Sequence, residues 1–107
     1  MGHSLLITGR LIAAARALTG VSQSDLAVAT GISMSRLIQL EAGASAPVPS
    51  EHEADAVSRA LESFGAVFIP EGDGMGGGVR LKFLRQDVKQ IGRFENEGGM
   101  VREDDVP

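Results

Sequence analysis

The chain has no cysteine, only two histidines, and fewer basic than acidic side chains, ten Lys and Arg against 14 Asp and Glu in 107 residues, for a formal net charge of −4. Without cysteine there can be no disulfide framework and no thiolate metal site. His3 and His52 are then the only imidazole ligands, so neither a metal nor a cofactor is expected. Long apolar runs are missing too. Leu5-Leu6-Ile7, after Ser4, is too short for a membrane span or a signal-peptide core, so the expectation is a cytoplasmic chain with no membrane partner. What is present is a hydrophobic content of 43%, enough for one buried core in a chain of this length.

The segment Val21 to Gly43, VSQSDLAVATGISMSRLIQLEAG, carries the most information. Its spacing predicts two short helices joined by a tight turn. Leu26 and Ala27 face inward from the first, Gly31 occupies the turn, and Leu37 and Leu40 anchor the second at a three-residue interval. One face of the second helix is left free. It carries Met34, Ser35 and Gln39, with Ser33 as the cap at its start, and these short polar or apolar groups suit base edges in a major groove. The plainer alternative is one hairpin within a helical bundle, and an isolated pair of helices would not distinguish the two.

In this register the chain resembles the lambda-repressor/Cro-like, or XRE-like, helix-turn-helix family from about Thr8 to Leu61. The resemblance implies a mainly α fold: a four-to-five-helix lambda-repressor-like DNA-binding domain, here with a C-terminal β-hairpin. It also implies that Gln23, with Ser22 beside it, opens the second helix as a phosphate contact, and that Gln23 braces the recognition helix. Arg16 and Glu41 stand where the family often has a buried arginine-carboxylate pair, and Glu41-Ala42-Gly43 is similar to its closing Glu-x-Gly. Met34 and Ile38 depart from the family pattern, which commonly has polar or solvated residues there.

Acidity is the main objection to DNA binding, because Lys and Arg on phosphates supply most non-specific affinity. Its distribution answers part of that objection. Residues 1–47 carry Arg10, Arg16 and Arg36 against Asp25 and Glu41, a net of +1, whereas residues 48–69 carry Arg59 against Glu51, Glu53, Asp55 and Glu62, a net of −3. With Arg16 engaged by Glu41, few cations remain, so a single copy should bind weakly, use backbone amides and helix N-termini, and depend on dimerisation.

The first helix is expected from about Ser4 or Thr8 to Leu18, ending at Gly20, and the second opens on Ser22-Gln23-Ser24-Asp25, a capping box with Asp in place of Glu. After the proline-bearing ASAPVPS connection, Ser50 to Glu53 reads as a fuller capping box, and Ala54, Val57, Leu61 and Phe64 form the buried stripe of a fourth helix. His52 lies off that stripe and reads as solvated. Beyond Gly65, Ala66 to Ile69 and Val79 to Phe83 read as a β-hairpin. The loop between them contains a formal G-x-G-x-x-G at Gly72, Gly74 and Gly77, but the β pattern that follows, and the lack of Gly-Lys-Ser/Thr, argue against a phosphate cradle.

An isolated hairpin is marginal in water, so the apolar face of Val79, Leu81 and Phe83 implies a partner. The expected partner is a second copy, with Val67, Phe68, Ile69, Val79, Leu81 and Phe83 at the dimer contact; the alternative is the chain's own helices. The sequence thus divides into a helix-turn-helix domain at 1–65, a hairpin and short helix at 66–93 for dimerisation, and an acidic tail at 94–107. The function expected is a sequence-specific, non-enzymatic DNA-binding regulator, a homodimeric repressor on double-stranded DNA. Ser22, Gln23, Ser33, Met34, Ser35, Arg36 and Gln39 would be its contact residues. Gln39 would pair adenine bidentately, Met34 would touch a thymine methyl, and Arg36 would reach phosphate or guanine. The alternative is a protein-interaction module with a protein partner, such as an antitoxin or an adaptor of another regulator.

Overall fold

The computed structural model describes residues 6–84. Among them are α1 (Gly9–Thr19), α2 (Gln23–Thr30), α3 (Met34–Ala42), α4 (Glu51–Ser63), β1 (Ala66–Ile69) and β2 (Gly78–Leu81). All four helices begin in the same way. A hydroxyl at the N-cap accepts the backbone N–H three residues on: Thr8 from Leu11 at 3.1 Å, Ser22 from Asp25 at 3.0 Å, Ser33 from Arg36 at 3.1 Å and Ser50 from Glu53 at 3.1 Å. Each such cap satisfies one of the donors that a helix start leaves without an intrahelical partner. Between α2 and α3 the chain reverses at Gly31, whose φ of 76° lies in the left-handed region that glycine enters without steric penalty.

Each helix contributes one buried face to a common core. Ile12 and Ala15 come from α1, Leu26 and Ala27 from α2, Leu37 and Leu40 from α3, and Val57 and Leu61 from α4; Ile7, Val21, Ala66 and Phe68 complete the cluster. Phe64 does not continue the α4 stripe as its spacing suggests. The helix ends at Ser63, the chain turns at Phe64 and Gly65, and the Phe64 side chain leaves the buried face, 37% exposed. The start of α1 is locked to the end of α3 and the segment beyond it: Arg10 N–H donates to Ala44 O at 2.9 Å and Val48 N–H to Ile7 O at 2.8 Å. Gly9 makes this approach possible, because a Cβ there would collide with the backbone carbonyls of Leu40 and Glu41.

The strands pair antiparallel with Ala66 opposite Leu81 and Ile69 opposite Gly78. The second strand is therefore Gly78–Leu81, earlier than the expected Val79 to Phe83, although Lys82 N–H still donates to Gly65 O at 2.8 Å. At the hairpin tip Gly72 and Met75 exchange backbone hydrogen bonds of 3.1 and 2.8 Å around Asp73 and Gly74, whose φ angles are 54° and 75°. That is the tight turn whose twist matches paired strands. The glycine run thus feeds a strand, as its context in the sequence suggests.

The need for a second copy to bury Val79, Leu81 and Phe83 is corrected. Phe68 belongs to the core, Val79 packs against it, Leu81 and Phe83 are half-buried, and the strands lie against α1 and α4 of the same chain. Val67 and Ile69 point the other way, 40% and 41% exposed. His3, the expected short helix through Val88 and Ile91, and the acidic tail lie outside the described residues.

Gly9→Ala should destabilise the protein by about 3 kcal/mol, the upper part of the usual overpacking range, because the new methyl meets backbone and not a flexible side chain. Thermal melts check this, with Gly72→Ala, where a Cβ meets open space, as the reference. Equal melting temperatures for the two variants would contradict the close approach.

Candidate nucleic-acid interface

Helix α3 divides cleanly. Leu37 and Leu40 are buried, whereas Met34 and Ile38 are 41% and 47% exposed and Ser33, Ser35 and Gln39 are exposed. At the start of α2, Ser22 is exposed and Gln23 half-buried. The Ser22 and Ser33 hydroxyls accept their capping N–H bonds. The hydrogen of the Ser33 hydroxyl stays available, since a serine both donates and accepts and phosphate oxygens take only donors, whereas Ser22 Oγ also lies 3.2 Å from Ser24 Oγ, and either can be the donor.

The orientation of α3 is set by a charged clamp. Arg16 on α1 meets Glu41 on α3 with Nε to Oε2 at 2.7 Å and Nη2 to Oε1 at 2.9 Å, while its Nη1 donates to Val21 O at 3.2 Å. Gln23 Nε2 donates to Glu41 Oε1 at 3.2 Å. One carboxylate thereby joins α1, α2 and α3. The Arg16 side chain is 22% exposed and that of Glu41 9%, so water screens the pair little. Hydrogen bonding to Glu41 raises the Arg16 guanidinium above its ordinary value, against the opposing effect of burial. The fold thus brings Arg16, Glu41 and Gln23 together at one carboxylate.

A second ion pair is one that the sequence did not suggest. Arg36 Nε lies 3.1 and 3.0 Å from the two oxygens of Glu53, its Nη2 donates to Glu53 Oε1 at 2.8 Å, and its Nη1 donates to Gln39 Oε1 at 3.1 Å. Two residues expected to meet DNA are thus tied to each other and to α4. The Ser50 capping box is accordingly half-formed: the Ser50 hydroxyl caps, but the Glu53 carboxylate turns to Arg36 and not back to the helix start. The clue available in the sequence was an unpaired arginine one turn before Gln39, with a carboxylate 17 residues on; nothing local joins them.

These pairs leave the exposed face of α3 with little free positive charge. Among the described residues, Arg59 pairs with Asp55 at 3.3 Å, and Arg10, Arg80 and Lys82 have no ion pair. No group of three potential metal ligands occurs among the described residues, and none of their helices is long and apolar enough to cross a membrane. His52 is exposed in the first turn of α4.

Comparison with known families gives one finding: a family model described as helix-turn-helix matches residues 12–63. The match begins within α1 and ends at the last residue of α4, so the hairpin lies beyond it. No curated protein matches the chain.

Arg16→Ala should lower stability by about 3 kcal/mol by leaving the Glu41 carboxylate unpaired. Combining Arg16→Met with Glu41→Leu should recover most of that, because the buried charge is removed together with its partner. An unchanged melting temperature for Arg16→Ala would contradict the clamp. The Glu53 carboxyl is held below its ordinary value of 4.5, chiefly by hydrogen bonds from Arg36, with the Arg36 and His52 charges acting the same way and desolvation opposing. A carboxyl depressed in the folded state stabilises fully above its unfolded pKa and loses that contribution as pH falls through the folded one. The Arg36 tie should therefore persist at neutral pH and release only below 4.5. A carbon-13 titration should show Glu53 moving below the ordinary range in the native protein and within it in Arg36→Met; an ordinary midpoint in the native protein would contradict the pair.

Proposed function

Residues 12–63 place this chain in the lambda-repressor/Cro-like, or XRE-like, helix-turn-helix family of DNA-binding transcription regulators, and from that premise we propose that it is a homodimeric, non-enzymatic repressor of the bacterial nucleoid that reads a pseudo-palindromic site with α3. The observation that carries this reading is the exposed face of α3. Ser33, Met34, Ser35 and Gln39 contribute nothing to the buried core, yet the helix that bears them is fixed in space by the Arg16–Glu41–Gln23 clamp. A rigid helix with short exposed side chains beside the start of a second helix is the geometry needed to enter a major groove.

Ser33 and Ser35 would then donate to base or phosphate, Met34 would touch a thymine methyl, Gln39 would read a base edge, and Ser22 and Gln23 would position α2 on the backbone. With Arg16 and Arg36 both paired inside the molecule, one copy has little electrostatic affinity, and two reading heads on one site supply what is missing. The hairpin offers a place for the second copy. Its inner residues Phe68, Val79, Leu81 and Phe83 hold it to the helices, leaving Val67 and Ile69, with Arg80 opposite Val67, on the outer face. The net charge of −4 is what favours the alternative of a module that binds a basic protein partner, as an antitoxin does; co-purification of such a partner would distinguish it.

Gln39→Ala should weaken binding to a specific site by about 1–3 kcal/mol and binding to random DNA much less. Fluorescence anisotropy on both DNAs checks this, and equal losses would remove Gln39 from the base-reading set.

A further inference from the structure

We propose that Glu53 and Arg36 are positioning residues that hold the Gln39 amide by its oxygen and leave its Nε2 donors as the free edge, so that it selects guanine over adenine. The inference rests on the reading of α3 as the groove-entering helix. A guanidinium has N–H donors and no acceptor. The atom of the Gln39 amide that meets Arg36 Nη1 at 3.1 Å is therefore the oxygen, and chemistry settles the amide's orientation without needing to see its hydrogens. Three contacts of 2.8 to 3.1 Å direct Arg36 to both oxygens of Glu53 in a bidentate, partly exposed pair. Glu53 is in turn placed in the first turn of α4 by the cap at Ser50.

The consequence is a change in what Gln39 offers. A glutamine free to use both ends of its amide pairs with adenine, accepting from the N6 amino group and donating to N7. Here the oxygen already accepts from a cation, which fills one of its two lone-pair directions and fixes which way the amide faces, while Nε2 has no hydrogen-bond partner among the described residues. The part of the amide with no partner is the pair of N–H bonds on that nitrogen. Guanine presents two neighbouring acceptors in the major groove, N7 and O6, whereas adenine presents one acceptor beside a donor. The expected bidentate contact with adenine is thus replaced by a guanine preference set from α4, a helix that need not touch DNA. The same chain withholds Arg36 from phosphate.

The test uses the full chain and the DNA motif that the native protein selects from a random pool. Base preference is measured at the position where Gln39→Ala loses discrimination, together with affinity across a salt series. The native protein should prefer guanine there. Arg36→Met frees the amide oxygen and should shift the adenine-to-guanine affinity ratio by about tenfold toward adenine. Glu53→Gln frees Arg36 for phosphate and should steepen the slope of log affinity against log salt by about 1. Glu51→Gln removes the same charge from the same turn and should leave slope and base preference as in the native protein. An adenine preference in the native protein, an unchanged preference in Arg36→Met, or a Glu53→Gln slope equal to that of Glu51→Gln would overturn the inference while leaving the proposed function standing. If Glu53→Gln fails to fold, the Arg36→Met preference decides alone. If the folded native protein selects no motif, the proposed function and this inference fall together.

Discussion

The Glu41 carboxylate, gripped by Arg16 and touched by Gln23, is the interaction on which the geometry of the interface depends. Helix α3 has nine residues and buries only Leu37 and Leu40. Two leucines a turn apart hold a helix against a core, but they leave it free to rock about its own axis. A bidentate guanidinium-carboxylate contact has a fixed plane and direction, and this one sits at the C-terminal end of α3, beside the place where Gly9 lets α1 approach the Leu40 and Glu41 carbonyls. The clamp and the close approach secure the same end. The other end carries the Ser33 cap, the exposed Met34 and Ser35, and the Arg36 tie to Glu53 on α4.

The arginines nearest α3 are taken up by contacts within the molecule. Of the three arginines in residues 1–47, Arg16 holds the helices together and Arg36 is tied to α4, which leaves Arg10 without an ion pair among the described residues. On the proposed reading, helix starts and serine hydroxyls would carry much of the contact with phosphate. Such contacts are directional and short-ranged, so affinity should depend on correct seating more than on long-range attraction. On the proposed reading, a regulator built this way would give up non-specific binding and gain from pairing two copies on one site.

Most of the helical fold was legible because it is encoded locally. The Ser22, Ser33 and Ser50 caps, the left-handed turn at Gly31, and the inward set Leu26, Ala27, Leu37, Leu40, Val57 and Leu61 each follow from spacing within a turn or two. The Arg16–Glu41 clamp was legible only through family resemblance, since 25 residues separate its partners. What could not be read depended on how elements meet. Strand alternation showed that one hairpin face is buried, but not that α1 and α4 of the same chain bury it. Phe64 kept the α4 spacing but lies where the helix has already ended. Glu53 had a sufficient local explanation as a capping residue and Arg36 one as a phosphate contact, and only the packing of α4 beside α3 shows that they pair.

The most direct test of the central claim, that α3 is held rigid in order to read DNA sequence, is selection of bound fragments from a random DNA pool by the full chain at about 100 mM salt, where purely electrostatic binding is already reduced. The account predicts recovery of an inverted repeat whose half-sites lie about one helical turn apart, as two copies related by a two-fold axis require. A folded protein that enriches no motif would contradict it.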